Sequence, residues 1–516
     1  MVRATLRSAV LLGLLACSVP AYAEVQNVKV GGEVNVRGFY RKSLRLNDAV
    51  TNGTGGGSTT VVDCTDLSPG VSGGCSAPDG DSSGDQFIQQ LTAVDIGADL
   101  TENVAAQVRV INQRVWGSPA EDATNTTNSS TANADANQVQ LSLANVTLKE
   151  LFYSPLTVTL GRQRLWFGRG FIVGSRLLAA DADPNGALAA DEFTDLTAFD
   201  AIRGTLDLSG ILGGTPLTLD GVFAKVNENE PGSADDINLT GVNLGTHFDS
   251  MNGEAEAYYW NKRDNDLART GGAGGEDLAT NPQANTLGFR GSIAPAKGLS
   301  TWGELAYQWG RRIVTSITFD AEGDAGDQYQ AWAANLGLDY TLGGTAWTPT
   351  LGGEWIFYSG DNGDGGGSGS TVGSAIGGWD PVYRGQFTSL IREFQGAGFY
   401  MPSQSGSTVG GTFNNVTNST TNQHQLALHA ALKPLEDLSV DNRFTWFIAD
   451  KGIKPTTQRV KTEKYFGSEW DVNANYAYTD DVQMGLVYGL FFPGSVFKSP
   501  HDNTAQELVT SVSVKF

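Results

Sequence analysis

Runs of about ten residues in which apolar and polar side chains alternate recur along almost the whole 516-residue chain. They are separated alternately by a tight turn and by a long polar loop. Residues 507–516, ELVTSVSVKF, show the pattern: Leu508, Thr510, Val512, Val514 and Phe516 share one parity, and Glu507, Ser511, Ser513 and Lys515 the other. A period of two marks a strand that is apolar on one face only. Helical periodicity is nearly absent, and 65 glycines with abundant Asn, Ser and Thr point to all-β architecture. A chain of this length would normally divide into several soluble domains, yet no break in composition divides it.

The connections can be counted. Short ones fall at 100–103, 152–155, 209–216, 248–253, 294–298, 341–347, 433–437 and 479–481. Long ones fall at 47–85, 117–137, 168–197, 228–236, 264–285, 313–328, 359–423, 451–467 and 494–504. Eight turns and nine loops predict eighteen strands with both ends on the short-turn side. One parity is apolar: Val28, Val30, Val34 and Val36; Leu287, Phe289 and Ile293; Leu426, Leu428, Ala430 and Leu432; Trp470, Val472, Ala474, Tyr476 and Tyr478. The other is charged or polar: Lys29, Glu33 and Arg37; Arg290 and Ser292; Gln425 and His429; Asp471, Asn473 and Asn475. In a soluble sandwich the apolar face would meet a second apolar face, whereas a charged inner face needs water. The pattern therefore predicts a transmembrane antiparallel β-barrel, apolar towards lipid and closed so that no sheet edge meets lipid. Aromatics near strand ends (Tyr258, Tyr259, Trp260; Tyr307, Trp309; Trp355, Phe357, Tyr358; Phe491, Phe492) are expected to form an interfacial girdle.

No run of about 18 apolar residues predicts a membrane helix. Residues 1–23 read as a secretory signal peptide: Arg3 and Arg7, an apolar run, then Ala21-Tyr22-Ala23 as an A-x-A cleavage site. A lipid-anchored start at Cys17 fits less well, because Leu15 is bulky for such a site. Residues 24–516 then form the barrel, placed in a Gram-negative outer membrane among lipid and lipopolysaccharide. Phe516 would close the last strand at the periplasmic interface, the kind of ending that barrel-assembly machinery reads. The formal charge of −22 argues against nucleic acid. Beyond the signal, only Cys64 and Cys75 remain, and in an exported chain they are expected to form a disulfide.

Three short motifs follow in order: Gly161-Arg162-Gln163 on the fifth strand; Phe199-Asp200-Ala201-Ile202-Arg203 opening the sixth; and Ser359-Gly360-Asp361, whose long loop leads to Trp379-Asp380-Pro381-Val382-Tyr383. This order resembles the alginate-export family of outer-membrane porins, in which a G-R-Q strand precedes an F-D-A-x-R strand and an S-G-D loop follows. Trp379 stands where the family pattern has Phe. The resemblance implies an eighteen-stranded export channel, with periplasmic export partners possible, and it covers most of the chain.

Arg37, Arg109, Arg203, Arg290 and Arg443 have inward parity near mid-strand, where a guanidinium fork suits carboxylates. With Arg162, Asp200, Asp361 and Asp380 of the motifs, they form the candidate pore-lining and substrate-contacting set. An equally good reading makes these arginines braces of a wet wall, paired with Glu33, Asp95, Glu254, Glu256, Glu304, Glu354 and others. Arg162 and Arg164 share the parity of lipid-facing Val158 and Leu160, so a bulge near Gly161 would be needed to turn them inward. The loops at 168–197 and 359–423 are candidate plugs.

The expected function is a channel for an anionic polysaccharide or other small acidic solute. Two alternatives are a barrel sheathing an electron conduit and, further behind, an outer-membrane hydrolase. The chain has no C-x-x-C-H haem site of its own, so a partner would have to carry the haem. It has four histidines and no clear nucleophile elbow, so no catalytic residue is expected. No cofactor is required. Residues 181–192, DADPNGALAADE, match a calcium-loop pattern through Asp181, Asp183, Asn185, Gly186 and Glu192. Pro184, Ala189 and the lack of flanking helices favour a plain acidic turn over a Ca2+ loop.

Overall fold

The computed structural model describes residues 27–43, 85–117, 139–176, 193–210, 214, 216–228, 236–264, 283–311, 328–360, 375–376, 378–393, 421–451, 463–495 and 503–516. The signal segment, Cys64, Cys75, Asp181, Asp183, Asn185, Glu192 and Asp361 lie outside the described residues.

Nineteen strands are present among them. The first nine are β1 (Asn27–Lys42), β2 (Asp85–Thr101), β3 (Val104–Val115), β4 (Gln140–Leu148), β5 (Leu156–Gln163), β6 (Phe199–Asp207), β7 (Leu217–Asn227), β8 (Ile237–Phe248) and β9 (Gly253–Asp264). Then come β10 (Gln283–Ala296), β11 (Leu299–Arg311), β12 (Gln328–Thr341), β13 (Thr350–Tyr358) and the two-residue β14 (Ala375–Ile376). The last five are β15 (Gln423–Leu435), β16 (Leu438–Ala449), β17 (Tyr465–Ala477), β18 (Val482–Pro493) and β19 (Ala505–Lys515). β14 pairs parallel with β12 from within a long loop, and β13 pairs directly with β15. The other eighteen strands form one antiparallel sheet that closes when β19 meets β1. The expected eighteen-stranded barrel is observed, with its short and long connections in the expected places.

Closure is tight because two small contacts coincide at the seam. Val34 faces Val514 and Val36 faces Val512. The Phe516 N–H donates to the Gly32 carbonyl at 3.1 Å, and the Gly32 N–H donates back at 2.8 Å. A Cβ on Gly32 would lie 2.5 Å from the Phe516 ring, so only glycine admits that ring.

The two faces separate as the alternation requires. Val28, Val30, Leu287, Phe289, Leu426, Leu428, Trp470 and Tyr476 all point outward and are exposed. So large an apolar surface marks contact with lipid. The inner face is less open than a simple wet lumen. Loop residues Leu165, Phe167, Phe171, Ile172 and Val173 pack with Trp379, Val382 and Tyr383 from the second long loop. Together they rest on inner-wall residues Phe199, Trp260, Ala306 and Tyr358. Each such side chain stabilises the arrangement by about 1.5–3 kcal/mol. This moves four of the ten aromatics expected in the girdle. Tyr258, Trp260, Tyr358 and Phe491 are buried in the interior, because they have the opposite parity to Tyr259, Tyr307, Trp309, Trp355 and Phe357.

Candidate functional site

The three motifs meet. In the register of β5 and β6, Gly161 faces Ala201, Arg162 faces Asp200 and Gln163 faces Phe199. The Gln163 amide donates to the carbonyls of Thr159, Gly161 and Ala201 at 3.1, 3.3 and 2.9 Å. It ties the end of β5 to β6 just where the chain leaves the wall. Phe199 is buried and stands edge-on to Tyr383, with ring centroids 5.6 Å apart. Ser359 forms the base of the second long loop: its carbonyl accepts the N–H groups of Trp379 at 3.0 Å and Asn422 at 3.2 Å. The Gly360 N–H donates to Asp450 at 2.9 Å, and a Cβ there would lie 1.8 Å from the Asn422 side chain.

From these anchors two segments, 164–176 and 378–393, turn into the barrel and bind each other. The N–H groups of Gly174 and Ser175 donate to the Tyr383 carbonyl, that of Tyr383 to the Ile172 carbonyl, and that of Gly385 to the Gly170 carbonyl. The second segment then follows the inner wall. Asp380 pairs with Lys262 of β9 at 3.0 Å, and Gln386 donates to Glu354 of β13 at 2.9 Å. Thr388 donates to Gln425 of β15 at 2.8 Å. Further along, Glu469 of β17 accepts the N–H groups of Ile391 and Arg392 at 2.6 and 2.9 Å.

Arg384 and Glu393 form a fully buried pair at 2.8 Å, and Arg392 lies over the rings of Phe466 and Phe447 at 4.8 and 5.7 Å. Burial alone would raise Glu393, but Arg384, Gln425 and the Thr388 N–H together hold it below its ordinary value. Residues 193–196 line the opposite wall: Phe193 packs on Phe39, and Asp195 bonds Arg109 at 2.8 Å and the Ser142 hydroxyl at 2.9 Å.

Arg169, like Arg392, rests on an aromatic ring without an ion pair among the described residues, but it is only part-buried. Its guanidinium lies over Trp302 of β11, 4.1 Å from the ring centroid. Its Nε is buried without a hydrogen-bond partner, and no ion pair joins it among the described residues. Burial lowers Arg169 from its ordinary value; Glu354 and Asp339 pull the other way, and Arg290 and Arg443 push further down. A part-buried cation that feels two other guanidiniums is a place where an anion gains more than it would in water.

The five arginines expected to line the pore all have inward positions and all are engaged. Arg37 donates to Gln89 at 3.3 Å and lies over Phe193. Arg109 pairs with Glu33, Asp95 and Asp195. Arg203 pairs with Asp220 at 2.9 Å and lies over Phe167. Arg290, only 8% exposed, joins Glu254 and Glu256 at 2.9 and 2.7 Å. Arg443 reaches Glu354 at 3.3 Å. This geometry favours the wall-brace alternative for most of them, and Asp380 likewise anchors a loop to the wall.

Arg162 and Asp200 are corrected. The register of β5 against both β4 and β6 runs through Gly161 without a shift. Arg162 and Asp200 therefore stay on the face of exposed Leu160 and Ile202, outside the barrel, where they pair at 2.6 Å. Arg164, beyond the end of the strand, does turn inward and reaches Asp195 at 2.6 Å. Arg169, Arg384, Arg392, Glu393 and Glu469 were not singled out from the sequence. The available signal was the density of aromatic and apolar residues in loops that otherwise read as polar.

Comparison with known proteins agrees with this arrangement. A search of curated proteins finds no match. Among solved structures, OccAB2 of Acinetobacter baumannii is similar in fold. It has 10% identity and a TM-score of 0.50, with 96% of this chain and 99% of that chain covered. OccK9 (OpdG) of Pseudomonas aeruginosa aligns with 12% identity and a TM-score of 0.49 over 95% and 99%. The family model for alginate export matches residues 96–511. That match spans β5, β6 and both inward loops, so the chain belongs to the alginate-export family, as an outer-membrane β-barrel channel.

Proposed function

We propose that this channel passes an anionic saccharide or a similar small acidic solute, through a lumen narrowed by segments 164–176 and 378–393. The observation that supports this reading is Arg169. It rests on Trp302 and is left without a carboxylate partner, while the nearby Arg290 and Arg443 each have one. Unlike the fully buried Arg392, Arg169 is only part-buried, and an unpaired fork on an aromatic shelf suits a carboxylate that comes and goes. The neighbouring acids, Glu354 and Asp339 among them, keep the site from holding an anion too tightly for it to leave.

The test is planar-bilayer conductance of the purified barrel with oligouronates added to one side, against neutral oligosaccharides of equal length. Block by the uronates at millimolar levels, with little block by the neutral series, is expected. Equal block by both, or block by neither, would remove the support for acidic cargo.

A further inference from the structure

The outer face of β5–β7 does not look like a lipid-facing wall. Six or seven residues up from their periplasmic ends, β10, β11, β15 and β17 direct Phe289, Leu305, Leu428 and Trp470 outward. At the same height β5 and β6 direct Arg162 and Asp200 outward. With ~3.3 Å of rise per residue and a tilt near ~45°, that height is about 14–16 Å, the middle of an apolar band about 25 Å tall. Lys225 continues the polar row, since it faces Asp200 in the register of β6 and β7; it pairs with Asp236 at 2.9 Å and also with Glu228. Asn238 faces Lys225 across β8.

Two further observations fall on the same sector. β5 has 8 residues and β6 has 9, so the wall is low there. Outward aromatics near the extracellular ends gather instead on β9–β13 (Tyr259, Tyr307, Trp309, Trp332, Trp355, Phe357). On β4–β7 only Phe223 faces out.

We propose that this sector, centred on Arg162, Asp200, Lys225, Ile202 and Phe223, is covered by a second copy of this chain in a closed oligomer within the outer membrane. Charge complementarity selects that partner. The sector carries both signs in one row, so a second copy can set its carboxylates against these cations and the reverse. A lipid phosphate fits less well, because every cation of the row already has an acid beside it and the row carries no net positive charge to draw an anion, whereas a second copy brings cations and acids together. Below the row, exposed Leu160, Ile202, Phe223 and Val242 supply the apolar part of the contact.

The experiment places p-benzoyl-phenylalanine at Ile202 in one variant and at Leu428, on the opposite arc, in another. Both full-length proteins are irradiated in intact outer membranes. An adduct of twice the chain mass from position 202, with none from position 428, is expected. No protein adduct from position 202, a lipopolysaccharide adduct from it, or equal protein adducts from both positions would overturn the proposal. Light scattering of the detergent-extracted wild type gives a second reading. A particle of more than one chain is expected, falling to one chain in Asp200→Arg. A wild type of one chain at every concentration would overturn it independently of how that variant folds.

Discussion

At Gly161 a φ of +112° and the Ala144 carbonyl, 2.3 Å from where a Cβ would stand, leave no room for a side chain. Gly161→Ala is therefore expected to cost about 1–3 kcal/mol, read as a lower urea midpoint of the folded barrel in detergent. Gly97→Ala, where a Cβ would meet nothing within 4 Å, should stay within about 0.5 kcal/mol of wild type; equal losses at both sites would contradict the geometry. Arg290 is a different kind of residue from Arg169 although both are arginines of the inner surface. Its buried fork joins Glu254 and Glu256 and backs onto Gly168. Arg290→Ala should lower stability by about 1–3 kcal/mol, because it strands the part-buried Glu256 carboxylate while the half-exposed Glu254 can turn to water. A stable Arg290→Ala barrel with a changed ion preference would reverse the roles given to the two arginines. Parity already placed Arg162 outside in the sequence, and only the expectation that charge belongs in the lumen argued otherwise. The structure follows parity: the charge is outside, and it is paired with Asp200.

The wall elements were legible because each strand repeats every two residues and each turn carries its own punctuation of Gly, Pro, Asp or Asn. The inward loops were less so. Segments 164–176 and 378–393 have no periodicity, and their positions come from long-range contacts such as Tyr383 on Phe199 and Glu469 on Ile391 and Arg392. That second latch makes a specific prediction. Glu469→Gln weakens the bonds to two backbone N–H groups by about 1–3 kcal/mol in all, so segment 378–393 should leave the wall more often. Arg384 and Arg392 are 1% and 0% exposed, which shields the bonds after them from trypsin. In the variant, trypsin should cut after Arg392 several-fold faster than in wild type, and single-channel current should become larger and noisier. Unchanged digestion together with unchanged current would show that the segment is held by other contacts.

For the molecule as a whole, alternation, closure and the apolar outer belt place the barrel in the outer membrane, and the two inward segments pack part of its interior. The girdle shows where alternation needs the third dimension. Tyr258 and Tyr259 are neighbours in sequence, yet one is buried against Glu304 at 2.7 Å while the other bonds Asn285 on the outer face. Arg169, the cation proposed to meet cargo, was hidden for a related reason. Arg169 lies in a loop, and its isolation appears only when Arg290, Arg443, Glu354 and Trp302 are set around it. The central claim is that acidic cargo passes this guanidinium, and the most direct measurement is the oligouronate concentration that half-blocks current through Arg169→Ala. Losing one charge-assisted contact of about 1.5–3 kcal/mol should raise that concentration about tenfold or more, with open-channel conductance in neutral salt little changed. A half-blocking concentration equal to that of wild type would contradict the account.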